Sequence, residues 1–461
     1  MRRREEKGSN EVIEMQYDVL IIGGGIAGLT LAVKLGQSNV KTLIVEKDKK
    51  SGLIYKGELL QPKSLDILDR IGLLETVKEN GVSLPSIQFH EFERMDNGSL
   101  KKLSENEFRY DLIQSPYNTS LMIPHERLKK LLFEEASKYD SIDHIQPAKF
   151  TGFTDEESSK KKAVIETKEG QLEIQANFYV GAEGRASPTR TAMDVEMKKT
   201  SYNHHFLTVS FPRPDSLDKS TIITTQNRFL GLFPLPNNEV RSVLLIKPGE
   251  FKEMRKEGLD SFYRAYCELI PELDGYVQQI DSWKKIQLMI PVRHNVSQYV
   301  KDNIILTGDA AHSVHPMAGE GMNLAIQDSD VLGELLCWMF KTNQTEWKHL
   351  RWYEKVRKPR AEFVSRLSHQ AALLYSFPYR PWQRLRIKGV QQTEHSSVLH
   401  YKQMLNTSGL GIWKFTIFDR MKQAGLLPAR RNDHKLSGIE QKVIFDKNED
   451  YPWKGSKGEI G

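Results

Sequence analysis

The chain has 461 residues, of which 39% are hydrophobic and 27% charged, with a formal net charge of +6. That length carries two closely packed domains, and the balance excludes a disordered or collagen-like chain. Cys267 and Cys337 lie far apart without a Cys-x-x-Cys spacing, which excludes a disulfide framework and a redox dithiol and points to buried thiols in a reducing cytoplasm.

The first residues are basic (Arg2, Arg3, Arg4, Lys7), and no apolar run follows them. Residues 1–16 are therefore expected to be a flexible extension rather than a signal peptide. Tyr17 to Ile22 is expected as a buried parallel strand, Ala27 to Gln37 as a helix and Val40 to Glu46 as a second strand, a βαβ unit of the usual size. Between the first strand and the helix stands Gly23-Gly24-Gly25-Ile26-Ala27-Gly28, a Gly-x-Gly-x-x-Gly turn. Gly23 permits the tight turn, Gly25 lets backbone approach a pyrophosphate, and Gly28 lets helix and strand pack closely. Ile26 and Ala27 open the helix, whose free N–H groups and dipole favour an anion. Glu46, followed by Lys47, ends the second strand and is placed to accept hydrogen bonds from a ribose. The turn establishes a dinucleotide site without choosing between NAD and FAD.

Helical periodicity continues at Leu65–Leu74 and Glu126–Tyr139, whereas Ser83 to Asn106 is irregular and polar, with turn signals at Pro85 and Asn97–Gly98. Ala163–Thr167, Gln171–Ile174 and Ala176–Val180 are expected as antiparallel strands about a hairpin at Lys168–Gly170. A second motif, Ala182-Glu183-Gly184-Arg185-Ala186-Ser187-Pro188-Thr189-Arg190, follows. Short strands are expected at Phe206–Ser210, Thr221–Thr225, Arg228–Pro234 and Arg241–Ile246, then helix over Gly249–Pro271. Asn303–Thr307 is a further buried parallel strand leading into Gly308-Asp309-Ala310-Ala311-His312, with Pro316, Gly319, Gly321, Met322 and Asn323 opening the helix Met322–Phe340. A carboxylate at a strand end beside a loop of small residues is placed to hold a ribityl hydroxyl, with the flavin ring on the loop backbone. The helix N-terminus at Gly321 would face the ring edge that gathers negative charge on reduction. That selects FAD. His312 and His315 are read as satisfied loop polar groups. Glu320 is equally readable as a solvent-facing acid or as a carboxylate near the flavin.

The longest apolar stretch, Val331–Phe340, is far too short to span a membrane. Between Arg351 and Val390 stand ten Lys/Arg (351, 355, 357, 358, 360, 366, 380, 384, 386, 388) against Glu354 and Glu362, with Tyr375, Phe377, Tyr379 and Trp382 among them. This reads as a solvated helix face followed by a loop, with a peripheral contact to anionic lipid as the alternative. No nucleic-acid motif accompanies it, no metal ligands are assigned, and the sequence gives no oligomeric state.

The three motifs, in this order and over about Tyr17 to Pro428, resemble the aromatic-ring flavoprotein monooxygenases of the para-hydroxybenzoate hydroxylase type, with the ubiquinone-biosynthesis hydroxylases the nearest branch in pattern. The resemblance implies that the glycine turn holds the ADP half of FAD. It implies that Asp309 contacts ribityl or pyrophosphate oxygens and that Gly319–Asn323 line the flavin ring. The middle motif, through Glu183, Gly184, Ser187 and Arg190, would serve FAD and reduced nicotinamide. Glu183 stands where the family carries Asp, Glu320 where Gln is common, and His125 where an Arg is usual. The implied reaction is NAD(P)H- and O2-dependent hydroxylation of an electron-rich aromatic, phenolic or quinol-like substrate, with O2 adding at flavin C4a. No side chain is assigned as catalytic. Phe206 and Phe229, near Phe233–Pro236, are candidates to line the substrate, although a core role is the simpler reading of each. A FAD-dependent reductase of polyprenyl double bonds and a two-component monooxygenase are the alternatives.

The expected architecture is α/β: a Rossmann-like FAD-binding domain with a parallel sheet (17–82, 121–190, 291–370) and an inserted, mostly antiparallel β-sheet substrate domain (83–120, 191–290). C-terminal helices (371–430) and a disordered tail (431–461) would complete it. The protein is expected in the cytoplasm, with membrane association at its surface as the alternative.

Overall fold

A computed structural model describes residues 13–49, 57–154, 161–429, 436 and 443–455. Its first layer is a sheet ordered Val300–Lys301, Ile304–Leu306, Gln171–Gly181, Ile13–Ile22, Thr42–Val45, Ile142–Ile145, parallel throughout except at the first pair. Val19 to Ile22 and Thr42 to Val45 are buried on both faces, which explains why they read as continuous apolar runs rather than alternating ones. The helix Ile26–Gln37 buries eleven of its twelve residues because the sheet covers one side and the helix Gly321–Lys341 the other. Gly333 allows that helix crossing, since a Cβ there would lie 3.0 Å from the Cβ of Lys34.

Residues 171–181, expected as two antiparallel strands, form a single strand. Its first half pairs antiparallel with Lys162–Glu166, while its whole length runs parallel to Ile13–Ile22. The strand Ile13–Ile22 starts within the expected N-terminal extension, so residues 13–16 are structured, and residues 1–12 lie outside the described residues.

The second layer is a seven-stranded sheet ordered Gln287–Met289, His205–Pro212, Glu239–Ile246, Phe229–Leu235, Ser220–Thr224, Ser86–Arg94, Leu100–Arg109. It is antiparallel except where Ser220–Thr224 runs parallel to Ser86–Arg94. The last two strands correct the irregular reading of Ser83–Asn106: they are a long hairpin that turns at the expected Asn97–Gly98. The helical stretch 249–271 is two helices, Glu250–Glu257 and Leu259–Cys267, broken at Gly258, whose φ is +97°.

The basic stretch 351–390 also departs from expectation. The helix Arg351–Ser376 is followed not by a loop but by a second helix, Arg380–His395. Arg357 and Arg386 are fully buried ion-pair partners, on Asp328 and Glu91. Residues 443–455 were expected in the disordered tail and instead strap the first layer. Asp450 accepts from Lys63 Nζ (2.8 Å) and Arg360 NH1 (2.5 Å), Tyr451 donates to Asp330 (2.6 Å), and Trp453 is wholly buried in the main core. The other tail residues lie outside the described ones, apart from residue 436. Both cysteines are free and half-buried rather than buried. Among the described residues no helix is long and apolar enough to cross a membrane.

Candidate active site

Sharp turning of the chain after Ile22 puts Gly23 at φ +113°, a conformation that side chains resist, and a Cβ there would lie 2.5 Å from the carbonyl oxygen of Ala182. Gly28 is equally constrained, its Cβ position falling 2.0 Å from the carbonyl oxygen of Gly23. Gly25 differs: nothing of the protein lies within 4 Å of its Cβ position, and it caps the helix without any side-chain hydrogen bond. As in any helix, the first-turn N–H groups of Ile26, Ala27 and Gly28 have no acceptor within the helix, which is what an anion cradle uses. Glu46 is drawn to the same turn, its Oε2 accepting from Gly24 N at 2.8 Å and its Oε1 from Asp48 N at 2.9 Å. Lys47, beside it, is exposed.

The middle motif packs directly beneath. Ala182 N donates to Ile22 O at 2.7 Å. Glu183 turns inward and is consumed locally, accepting from Ser187 Oγ (2.7 Å), Thr189 N (3.0 Å) and Thr189 Oγ1. Burial raises its carboxyl above the ordinary range, against the lowering effect of those hydrogen bonds. Its longer arm therefore braces the start of the helix Pro188–Met193, through the N-cap Ser187 and through Thr189. Gly184 holds φ +80° at the start of the turn. Arg190 reaches the third motif, its NH1 donating to Ala310 O at 2.9 Å and its NH2 to Arg185 O at 2.6 Å. Burial lowers its guanidinium, while Glu183 and Asp309 act in the opposite sense.

The third motif closes on the first. Gly308, at φ +57°, has its Cβ position 3.3 Å from the Cβ of Ala27 and 3.2 Å from that of Ala325. Asp309 is half-buried on the turn that follows. A buried network holds this turn: Asp328 accepts from Gly308 N (3.1 Å), His312 Nε2 (2.6 Å) and Arg357 Nε (2.7 Å). Burial alone would raise the Asp328 carboxyl, but His312 and Arg357 hold it below its usual range. The helix Gly321–Lys341 then begins at Glu320 with no side-chain cap, and Gly321 meets nothing within 4 Å of its Cβ position. This is a second helix N-terminus without a side-chain cap, and Gly308 packs against the start of both helices, at Ala27 and Ala325.

Three site residues differ from expectation in detail. The amide of Asn323 is fully committed: Nδ2 donates to Leu59 O and Gly319 O (both 2.9 Å), and Oδ1 accepts from Gln61 N (2.8 Å) and Ser64 Oγ (2.7 Å). It shapes the loop, so any contact it makes with a ring is through its backbone. Met322 is buried against Gly57. Glu320 is only 3% exposed, which removes the solvent-facing alternative, and burial pushes its carboxyl well above the ordinary range although Gln61 opposes this. Pro316 and Gly319 remain partly exposed on the loop, Gly319 at φ +66°.

Beneath that loop lies an aromatic wall. Phe206 and Phe229 cluster with Ile222 and Leu245 on the second sheet, and Met317 of the loop packs on them with Met289 and Tyr375. Above Phe206, His204 and His315 meet Nε2 to Nε2 at 2.8 Å. His315 Nδ1 accepts from Met317 N (3.2 Å), so its Nε2 carries the proton and donates to His204. Burial lowers both, His204 to about 4 with His205 adding to the effect, and His315 to about 3 with His204 and His369 adding. The pair is thus neutral at pH 7. His312 and His315 are satisfied polar groups, as read, but His204, Asp328 and Arg357 were not singled out. Their partners lie 111, 16 and 29 residues away, respectively, and no local pattern marks them.

The model of the FAD binding domain family matches residues 16–368. Among curated proteins, the chain is 25% identical to a 6-methylpretetramide 4-monooxygenase of Streptomyces rimosus, over 76% of this chain and 82% of that protein. It is 20% identical to the 3-demethoxyubiquinol 3-hydroxylase of Escherichia coli (strain K12), over 69% of this chain and 79% of that protein. Among solved structures, p-nitrophenol 4-monooxygenase PnpA of Pseudomonas putida DLL-E4 superposes with a TM-score of 0.73 at 17% identity, over 87% of this chain and 100% of that one, which shows a shared fold.

Proposed function

Because the chain belongs to the FAD-binding-domain family, we propose that it is a flavoprotein monooxygenase that uses NAD(P)H and O2 to hydroxylate an electron-rich aromatic, phenolic or quinol-like ring. Bound FAD supplies the electron transfer and the activation of O2, and the chain binds, orients and shields the reactants. The uncapped first turn at Gly25–Gly28 takes the pyrophosphate and Glu46 the adenosine ribose. Asp309, placed by Gly308 and braced through the Asp328–Arg357 pair, takes the ribityl chain. The uncapped turn at Gly321 offers its N–H groups to the ring edge that becomes negative on reduction. Arg190 fastens the second motif to the carbonyl of Ala310 and so keeps the two cofactor-facing turns in register.

The observation that carries the reading is the aromatic wall. Phe206 and Phe229, 1% and 4% exposed and crossing edge to face at 74°, make an apolar cluster with Met317 of the loop on which the ring would rest. A neutral imidazole pair beside it holds its proton at His315 Nε2, so the wall carries no charge at its Phe206 end. The lipophilic end of this substrate range, and a peripheral contact with membrane, agree with the exposed Phe377, Tyr379, Arg380, Arg384 and Lys388. The test is incubation of the FAD-loaded protein with NAD(P)H and a panel of phenols, quinols and polycyclic aromatics, followed by product mass. Addition of one oxygen, dependent on air, is expected. Anaerobic saturation of an isoprenoid double bond would instead assign a reductase.

A further inference from the structure

One edge of the wall lies close in the chain to the protein surface. Tyr375 packs edge-on against Phe229 with ring centroids 5.5 Å apart, and it is the penultimate residue of the helix Arg351–Ser376. Two to four residues later the chain is at the surface, with Phe377 and Tyr379 39% and 65% exposed. The helix Arg380–His395 then presents Arg384, Leu385 and Lys388 outward, at helical spacing. The helix Ile417–Gln423 lies alongside, Gln423 Nε2 donating to Thr393 Oγ1 at 3.0 Å, and the Lys388 side chain crosses the turn at Gly425. Ile417 and Phe418 at the start of that helix are 71% and 63% exposed, and Leu426, just past its end, is 72% exposed.

Charge on these helices is one-sided. From residue 363 to 429 the sequence has only two carboxylates, Glu394 and Asp419. Asp419 is held by Lys402 Nζ at 2.6 Å, and Glu394 accepts from Glu107 N at 2.8 Å and from the Asn106 amide. Arg380, Arg384, Lys388 and Lys414 meanwhile stand exposed. Large apolar tips among cations, with the carboxylates tied down, suit a surface that is greasy and negatively charged.

We propose that the outer face of the helices Arg380–His395 and Ile417–Gln423 docks on an anionic lipid bilayer. Tyr379, Ile417, Phe418 and Leu426 enter the headgroup region, and Arg380, Arg384 and Lys388 lie on lipid phosphates. Docking there places the turn after Tyr375 at the membrane, so a lipophilic ring passes from the bilayer to the aromatic wall. Only this last step rests on the monooxygenase reading.

Flotation of the FAD-loaded full chain tests the surface, using phosphatidylcholine vesicles with or without roughly one-third phosphatidylglycerol. Binding is expected only to the anionic vesicles and should fall as salt is raised. The double variant Arg380→Glu/Arg384→Glu should weaken it by about fivefold or more per charge. Ile417→Asp/Phe418→Asp should weaken it by about tenfold or more. Both variants should keep their flavin spectrum, melting temperature and turnover of a water-soluble phenol. Failure of the wild-type protein to float with anionic vesicles at low salt overturns the proposal. So does unaltered binding in the Ile417/Phe418 variant, since an acidic partner surface needs no inserted side chains. Vesicle binding without oxygen transfer to any ring would keep the docking surface and reject the hydroxylase.

Discussion

Two glycines only two positions apart in the first turn are required for different reasons, and alanine separates them. At Gly23 the backbone is left-handed and Ala182 O sits 2.5 Å from the Cβ position, so Gly23→Ala should lower the melting temperature of the cofactor-free protein itself. At Gly25 the Cβ position is open, so Gly25→Ala should leave that melting temperature unchanged. It would nevertheless stand between the backbone and a phosphate. Loss of charge-assisted hydrogen bonds worth about 1.5–3 kcal/mol predicts FAD binding weakened by about tenfold to a hundredfold, measured by titration. Wild-type affinity in Gly25→Ala would put the pyrophosphate elsewhere. The buried histidine pair gives a pH prediction. His204 and His315 fall from 6.5 to about 4 and about 3 in the folded chain, so the unfolded chain binds more protons below pH 6.5. Their contribution is intact above that pH and is lost as pH falls toward 4. His204→Gln, whose amide oxygen can still accept from His315, should flatten the fall in melting temperature over that window, and an unchanged slope would assign it to other groups.

At the scale of elements, the strap at residues 443–455 is the clearest case of structure that composition concealed. Its residues are polar and short of periodicity, yet Asp450, Tyr451 and Trp453 each meet a partner from a distant part of the chain. Trp453→Ala should cost about 3–5 kcal/mol in denaturant unfolding, the usual range for emptying a buried tryptophan site, and a loss under 1 kcal/mol would mean the strap does not hold the core. The hairpin Ser86–Arg94 and Leu100–Arg109 was hidden for a related reason. Glu91 and Asn106 sit buried in it, made tolerable by Arg386, 295 residues from Glu91, and by Glu394, 288 residues from Asn106, which no local pattern reports. The same pairing hid Arg386 among apparent surface cations. By contrast, the glycine turn, the strand before it and Glu46 were legible because each constraint is local: a φ value, a helix terminus, a run of residues buried on both faces. The meeting of the three motifs was legible only as an order along the chain. The contacts that join them, Arg190 to Ala310 and Gly308 to Ala27, appear only in three dimensions.

Across the whole molecule, the parallel layer supplies the two uncapped helix ends and the second sheet supplies the aromatic wall, and buried charge pairs hold the layers together. Arg241 of the second sheet grips Glu58 through both oxygens, at 2.5 and 2.7 Å, just ahead of the small strand that leads to Gln61 and the loop-shaping Asn323. Arg386 fastens Glu91 of the second sheet to the C-terminal helices in the same manner. With the wall fixed against the loop, an aromatic substrate and a flavin resting on that loop would be held face to face and away from water. Hydroxylation there requires that oxygen from O2 reach such a ring on this wall. Turnover of an accepted phenol or quinol under isotopically heavy dioxygen measures it directly. One heavy oxygen atom per product is expected, with NAD(P)H consumed alongside it. Oxygen drawn from water, or turnover that proceeds equally well without O2, would contradict it.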